Sequence, residues 1–170
     1  GYESVTVNQI TNYVLQKDRQ RRLSKNSPVE IKGEKGVLIS IPKCCCPIYG
    51  DPIIGVRSKN GITIHTTNCL NLKGFEETKF VNACWKKNVD RLFDVNLKVV
   101  SKNSIGLGSK LLGKISKQNV NISKIVAKEI NEDVCEFDLC LSVRNNAELE
   151  DLISVIKSVK EVRTVNRYFD

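Results

Sequence analysis

The sequence predicts an α+β chain: a small strand-rich module followed by a four-stranded sheet covered by two helices, with a helix and a linker in front. Three features of the 170 residues predict it. From residue 93 onward, apolar and polar residues alternate in long runs, which is the period of half-buried strands. Between those runs lie two stretches whose apolar residues recur every three or four positions, the period of a helix. From 37 to 87 the apolar runs are short, rich in Ile and Val, and broken by Pro, Gly and Asn, which suits short strands joined by turns.

Thr6-Val7-Asn8-Gln9 fits a capping box, and Val7, Ile10, Val14 and Leu15 continue at helical spacing, so a helix is expected over 6–23. Lys17, Arg19, Arg21, Arg22 and Lys25 follow, and Ser24 to Pro28 breaks the pattern. Residues 1–36 therefore read as the end of a helical domain plus a basic linker.

The module spans 37–87. Val37 to Ile41 is expected as a strand ended by Pro42, and Ile53–Ser58 and Ile62–Thr66 as a hairpin turning at Lys59-Asn60-Gly61. A hairpin with one apolar face needs Val56 opposite Ile64 and Ser58 opposite Ile62, across a three-residue loop with Gly61 in the left-handed region. That register gathers Ile54, Val56, Ile62 and Ile64 on one face. It puts His65 on the polar face near Gly55 and Arg57.

Residues 88–170 read strand–helix–strand–strand–helix–strand. Phe93, Val95, Leu97 and Val99 alternate with Asp94, Asn96 and Lys98, and Leu107, Leu111, Leu112 and Ile115 share a helix face. Ile122 to Ile130 is the second strand, Asn131-Glu132-Asp133 a turn, and Cys135 to Val143 the third strand. Asn145-x-x-Glu148 caps a helix with Leu149, Leu152, Ile153 and Ile156 inward, and Val162 to Tyr168 closes the set. Two helices on one face of a four-stranded antiparallel sheet make a ferredoxin-like unit.

An apolar content of 41% and a charged content of 27% are globular values, and no apolar run is long enough for a membrane span or signal core. The chain begins with Gly1 and has no methionine, so it reads as a piece of a longer protein. Seven cysteines, three of them adjacent, suit reduced thiols and a cytoplasmic location better than a disulfide framework. The net charge of +8 is unevenly spread: +3 over 1–36, +4 over 37–87 and +1 over 88–170. An anionic partner such as nucleic acid is expected to meet the first half.

Cys44-Cys45-Cys46 precede the only histidine, His65, and His65-x3-Cys69 has a spacing at which both side chains reach one metal. Cys44, Cys45, His65 and Cys69 form a candidate zinc site. In a strand, however, successive cysteines point to opposite faces. One competing account makes Cys44 and Cys46 small buried hydrophobes and His65 a polar-surface residue; another has His65 touch RNA with Arg57 and Lys59 on the same hairpin, with Lys43 and Lys73 as further candidates. A Cys–His catalytic dyad has only one histidine for support, and no phosphate-binding glycine loop is visible, so no enzymatic activity is expected of this chain itself.

Lys43-Cys44-Cys45-Cys46-Pro47-Ile48-Tyr49-Gly50-Asp51-Pro52-Ile53-Ile54-Gly55 resembles the Cys-Cys-x-Pro-x-x-Gly-Asp-x-Ile-x-Gly signature of long RelA/SpoT homologues. Gly61-Ile62-Thr63-Ile64-His65-Thr66-Thr67-Asn68-Cys69-Leu70-Asn71 resembles the Gly-Val-x-Val-His-x-x-x-Cys-x-Asn that follows it, and Ala83-Cys84-Trp85 looks like that family's short strand ending in tryptophan. The resemblance implies a regulatory fragment of a guanosine tetra/pentaphosphate synthetase/hydrolase. Residues 37–87 would be the ribosome-intersubunit or zinc-finger module and 88–170 an ACT domain. It implies the ribosome and large-subunit ribosomal RNA as partners, along with N-terminal catalytic domains of the same protein. It also implies a homodimer and a branched-chain amino acid, valine or isoleucine, held by Asn103, Ile105, Gly106, Leu107, Asn121 and Ile122. An amino-acid-binding dimer acting off the ribosome is the alternative reading. Two departures stand out. Cys46 replaces a polar residue, and Asn103-Ser104-Ile105-Gly106-Leu107-Gly108 stands where the family has Asp-Arg-x-Gly-Leu-Leu.

Overall fold

The computed structural model describes residues 26–169, so the helix expected over 6–23 lies outside the described residues. The described residues divide into two compact units: one runs up to Pro42 and resumes over Pro52–Lys87, and the other holds Lys43–Asp51 and continues from Asn88. Lys43–Asp51 sits inside the expected 37–87 module by sequence, yet it folds with the second unit.

In the first unit, β1 (Val29–Ile31) pairs antiparallel with β6 (Ala83–Trp85), so the expected linker carries a strand. A second sheet takes the order β2-β4-β3-β5, with β2 (Ile39–Ser40), β3 (Ile53–Ser58), β4 (Gly61–Thr66) and β5 (Phe80–Val81). The strand expected over Val37 to Ile41 shrinks to the two residues of β2, which pair in parallel with β4. Val29, Ile31, Ile62 and Ile64 are buried together, with Val37, Ile39, Ile53, Val81, Ala83 and Trp85 packed around them.

The hairpin register differs from the expected one. Val56 lies opposite Thr63, Arg57 opposite Ile62 and Ser58 opposite Gly61, so the loop is Lys59-Asn60 alone. The expectation assumed one apolar face and one wet face. In the structure both faces are covered: Ile62 and Ile64 lie in the cluster under β1, while Val56 and His65 are buried on the other side. With two buried faces, alternation no longer selects the register. Close approach does. A Cβ on Gly61 (φ +125°) would lie 2.3 Å from the Leu38 carbonyl oxygen, and Ile62 N–H donates to that same oxygen at 2.8 Å.

The second unit has the predicted topology. Its sheet runs β10-β7-β9-β8, all antiparallel, from β7 (Phe93–Lys102), β8 (Asn121–Asn131), β9 (Val134–Val143) and β10 (Val162–Tyr168). Phe93, Val95, Leu97 and Val99 of β7 and Phe137, Leu139, Leu141 and Val143 of β9 point to the buried face. Two helices supply the other layer, α1 (Leu107–Ser116) through Leu107, Leu111 and Ile115, and α2 (Asn146–Lys157) through Leu149, Leu152 and Ile156. Fully burying each such side chain is worth about 1.5–3 kcal/mol. Asn145 caps α2 as expected, its side-chain oxygen accepting from Glu148 N–H at 2.8 Å. The Asn131 side chain closes the β8–β9 turn by accepting from the amides of Asp133 and Val134, each at 2.9 Å.

Candidate metal centre

Residues 43–45 form a turn rather than a strand, which removes the objection to adjacent cysteines. Cys46 takes φ +36°, a costly conformation for a side chain with a Cβ, and its Sγ reaches back to the Lys43 carbonyl at 3.2 Å. The bend brings the Cys44 and Cys45 sulfurs to 3.9 Å from each other. After β4 the chain turns again, Cys69 N–H donating to the Thr66 carbonyl at 3.0 Å, and Cys69 opens a short 3-10 helix over Leu70–Gly74.

One ligand atom each from Cys44, Cys45, His65 and Cys69 then lies within 4.8 Å of all the others. Zinc with Zn–S bonds of about 2.3 Å holds its tetrahedral ligand atoms about 3.8 Å apart, so the donor set fits that ion in type and scale. His65 is 4% exposed, and burial pushes its pKa below the ordinary 6.5, favouring the neutral imidazole that binds metal. Its ring centroid lies 6.1 Å from that of Phe75. The expectation that His65 sits on a polar face near Arg57 is corrected, because in the observed register it lies opposite Ile54 and is buried. A buried ring is not presented to RNA. Cys46 lies outside the ligand cluster.

The basic candidates remain on the surface. Lys43, Arg57, Lys59 and Lys73 are all exposed, with Lys59 at the hairpin tip and Lys73 in the 3-10 helix. Arg57 is engaged by Glu34, which holds its guanidinium above its usual value, mainly through the hydrogen bond between them.

A further set of residues was not singled out from the sequence. Asp51, 6% exposed, accepts from Ile48 N–H at 2.9 Å and pairs with Arg167 at 3.0 Å, while the Asn146 side chain also donates to it. Arg167 donates in addition to the Cys46 carbonyl, and Asn146 N–H donates to the Tyr49 carbonyl at 2.7 Å. Gly50 takes φ +96°, and a Cβ there would lie 3.2 Å from that of Asn146. Gly50-Asp51 was visible as part of the signature, whereas nothing marked Asn146 or Arg167.

A profile described as the RelA/SpoT RIS domain matches residues 29–86, and an ACT domain profile matches 90–167. The bifunctional (p)ppGpp synthase/hydrolase SpoT of Escherichia coli K12 is 34% identical over 140 residues, which is 81% of this chain and 20% of that protein. The chain belongs to the RelA/SpoT family. It corresponds to a regulatory part of such proteins and spans about a fifth of the length of the curated relatives it matches. The GTP pyrophosphokinase of Myxococcus xanthus is 31% identical over 147 residues, 85% of this chain and 19% of that protein. Among solved structures, the crystal structure of the ACT domain from the GTP pyrophosphokinase of Chlorobium tepidum is 27% identical. It covers 45% of this chain and 99% of that one, with a TM-score of 0.42. Among the described residues no helix is long and apolar enough to cross a membrane.

In the ACT domain of this RelA/SpoT chain the six expected ligand positions are dispersed. Gly106 (φ +78°) is the N-cap of α1, and Ile105 before it is fully exposed. Leu107 turns into the core at 3% exposure, so it does not wall a ligand. Asn103 N–H donates to the Asp133 carbonyl at 2.8 Å, and Asn121 and Ile122 begin β8 opposite Ser142 and Leu141.

Proposed function

We propose that this region is the ribosome-sensing part of a (p)ppGpp synthetase/hydrolase, with a structural zinc in its RIS domain. The observation that supports it is the convergence of Cys44, Cys45, His65 and Cys69, three thiols and a neutral imidazole, within one ligand sphere. Bound zinc would restrain the turn at 44–46 and the segment after β4, near which the exposed Lys43 and Lys73 lie in sequence, while Lys59 sits at the hairpin tip. Those lysines would neutralise phosphates of large-subunit ribosomal RNA, in keeping with the charge of +4 over 37–87. The ACT domain would pass occupancy to catalytic domains elsewhere in the same cytoplasmic protein.

Co-sedimentation with ribosomes across a salt series tests this. Binding is expected to weaken steeply with salt, and each of Lys43→Glu, Lys59→Glu and Lys73→Glu is expected to lower the slope of log affinity against log salt by about 1. Equal binding by the triple variant at low salt would reject the reading. An amino-acid-binding dimer off the ribosome remains a second reading, favoured by β8 as an edge strand exposed along nearly its whole length and by the open position of Ile105. Heat on titration with valine or isoleucine, without ribosome binding, would select it.

A further inference from the structure

The cysteine loop is fastened from the far end of the chain. Residues 43–51 lie within the RIS match, but several of their polar contacts run to β10 and to the start of α2. Asp51 is the centre of the fastening. One carboxylate oxygen takes Ile48 N–H and Arg167, and the other takes the Asn146 side chain, so most of its acceptor sites are used inside the fold. Arg167 uses both arms of its fork, one on Asp51 and one on the carbonyl of Cys46. The Cys46 carbonyl belongs to the peptide joining Cys46 to Pro47, one residue past the Cys44-Cys45 pair, at the residue with positive φ. A lysine lacks the planar fork needed to hold both oxygens.

We infer that Arg167 and Asp51 form a latch by which the ACT domain positions the thiol pair of the RIS domain, so that metal binding at Cys44 and Cys45 and the packing of β10 are thermodynamically linked. Arg167 is a positioning residue, since it touches no ligand sulfur. In its zinc consequence the latch rests on the metal reading proposed above. In its structural consequence it stands on the hydrogen bonds alone. Linkage is reciprocal, so whatever orders the loop also protects β10 and the first turn of α2.

The test uses the whole 170-residue chain with Arg167→Met, Arg167→Lys and the double variant Asp51→Asn/Arg167→Met, in which no charge is stranded. Amide hydrogen exchange is read without metal, and zinc affinity by competition with a chromogenic chelator. In Arg167→Met, exchange over 44–51 is expected to rise at least tenfold more than in β9 and α1, whose exchange rises only with the loss of global stability, and zinc affinity is expected to fall about tenfold. Arg167→Lys should fall between, and the double variant should stay folded with a loosened loop. Zinc added to the wild type should slow exchange in β10. Unchanged loop exchange in Arg167→Met, or a rise over 44–51 no larger than that in β9 and α1, overturns the latch. Unchanged zinc affinity alongside a loosened loop overturns the linkage. A wild type that takes up no zinc overturns the metal reading and with it the linkage, and the exchange data then decide the latch alone.

Discussion

Arg167 meets Asp51 at 3.0 Å across 116 positions of sequence, with their side chains 18% and 5% exposed. Removing one partner of a pair this enclosed strands the other charge. Urea unfolding of Asp51→Asn or Arg167→Met is expected to show a loss of about 3 kcal/mol. The double variant Asp51→Asn/Arg167→Met should lose clearly less than the sum of the singles. Additive losses would mean that the pair carries no coupling.

Two glycines set the close packing of the RIS hairpin. A Cβ on Gly55 would meet a methyl of Val81 at 2.6 Å and one of Ile62 at 2.8 Å. Gly55→Ala is expected to cost about 1–3 kcal/mol by overpacking. Gly61→Ala should cost more, because the obstacle is the Leu38 carbonyl and the φ of +125° is itself unfavourable for alanine. Thermal unfolding of the two variants gives the order.

Metal analysis of freshly purified, tag-free protein is expected to give one equivalent of zinc. Cys45→Ser and Cys69→Ser should lose it, and Cys46→Ser should keep it, since Cys46 lies outside the ligand set. A chelator should lower the unfolding temperature of the wild type and leave that of Cys69→Ser unchanged. Less than a tenth of an equivalent in the wild type, with no chelator effect, would sink the site.

Glu161 is held below its ordinary pKa of 4.5, first by its own backbone amide and then by Lys110, whose ammonium lies 3.1 Å away. A carboxyl whose pKa is lower in the folded state stabilises the fold above its unfolded value and loses that contribution as pH falls through the folded one. Stability of the wild type should therefore drop more steeply below pH 4.5 than that of Glu161→Gln. The two urea-midpoint curves should converge at the acid end. Parallel curves would show that the contact is absent in solution.

The ACT domain was legible because its central strands β7 and β9 each have one covered face. Phe93 to Val99 and Cys135 to Val143 alternate, and that alternation is the burial pattern. The RIS hairpin was not, because Val56 and His65 are buried on one face and Ile62 and Ile64 on the other, so an amphipathic template chose the wrong register. The four candidate metal ligands were named from spacing and resemblance, but their convergence depends on a turn at Cys44 and on the positive φ of Cys46, which no local pattern announces. Asp51 had a local signal, a short polar residue after glycine and three beyond Ile48, whose amide it accepts. Arg167 had none. It reads as one more polar residue on an alternating strand, and its partner is fixed only once β10 lies beside β7.

The division of labour between Lys43–Asp51 and the rest of the RIS segment bears on how these proteins can be cut and recombined. A join at residue 88 looks natural from sequence, since the two family profiles end and begin there. Transplanting Asn88–Asp170 alone would nevertheless leave Arg167 and Asn146 facing water where Asp51 and Tyr49 had been, and transplanting the cysteine segment alone would leave Asp51 without its counter-charge. The two domains are thus modular in name but not in heredity: a chimaera that exchanges one is expected to need the matching loop or strand of the other.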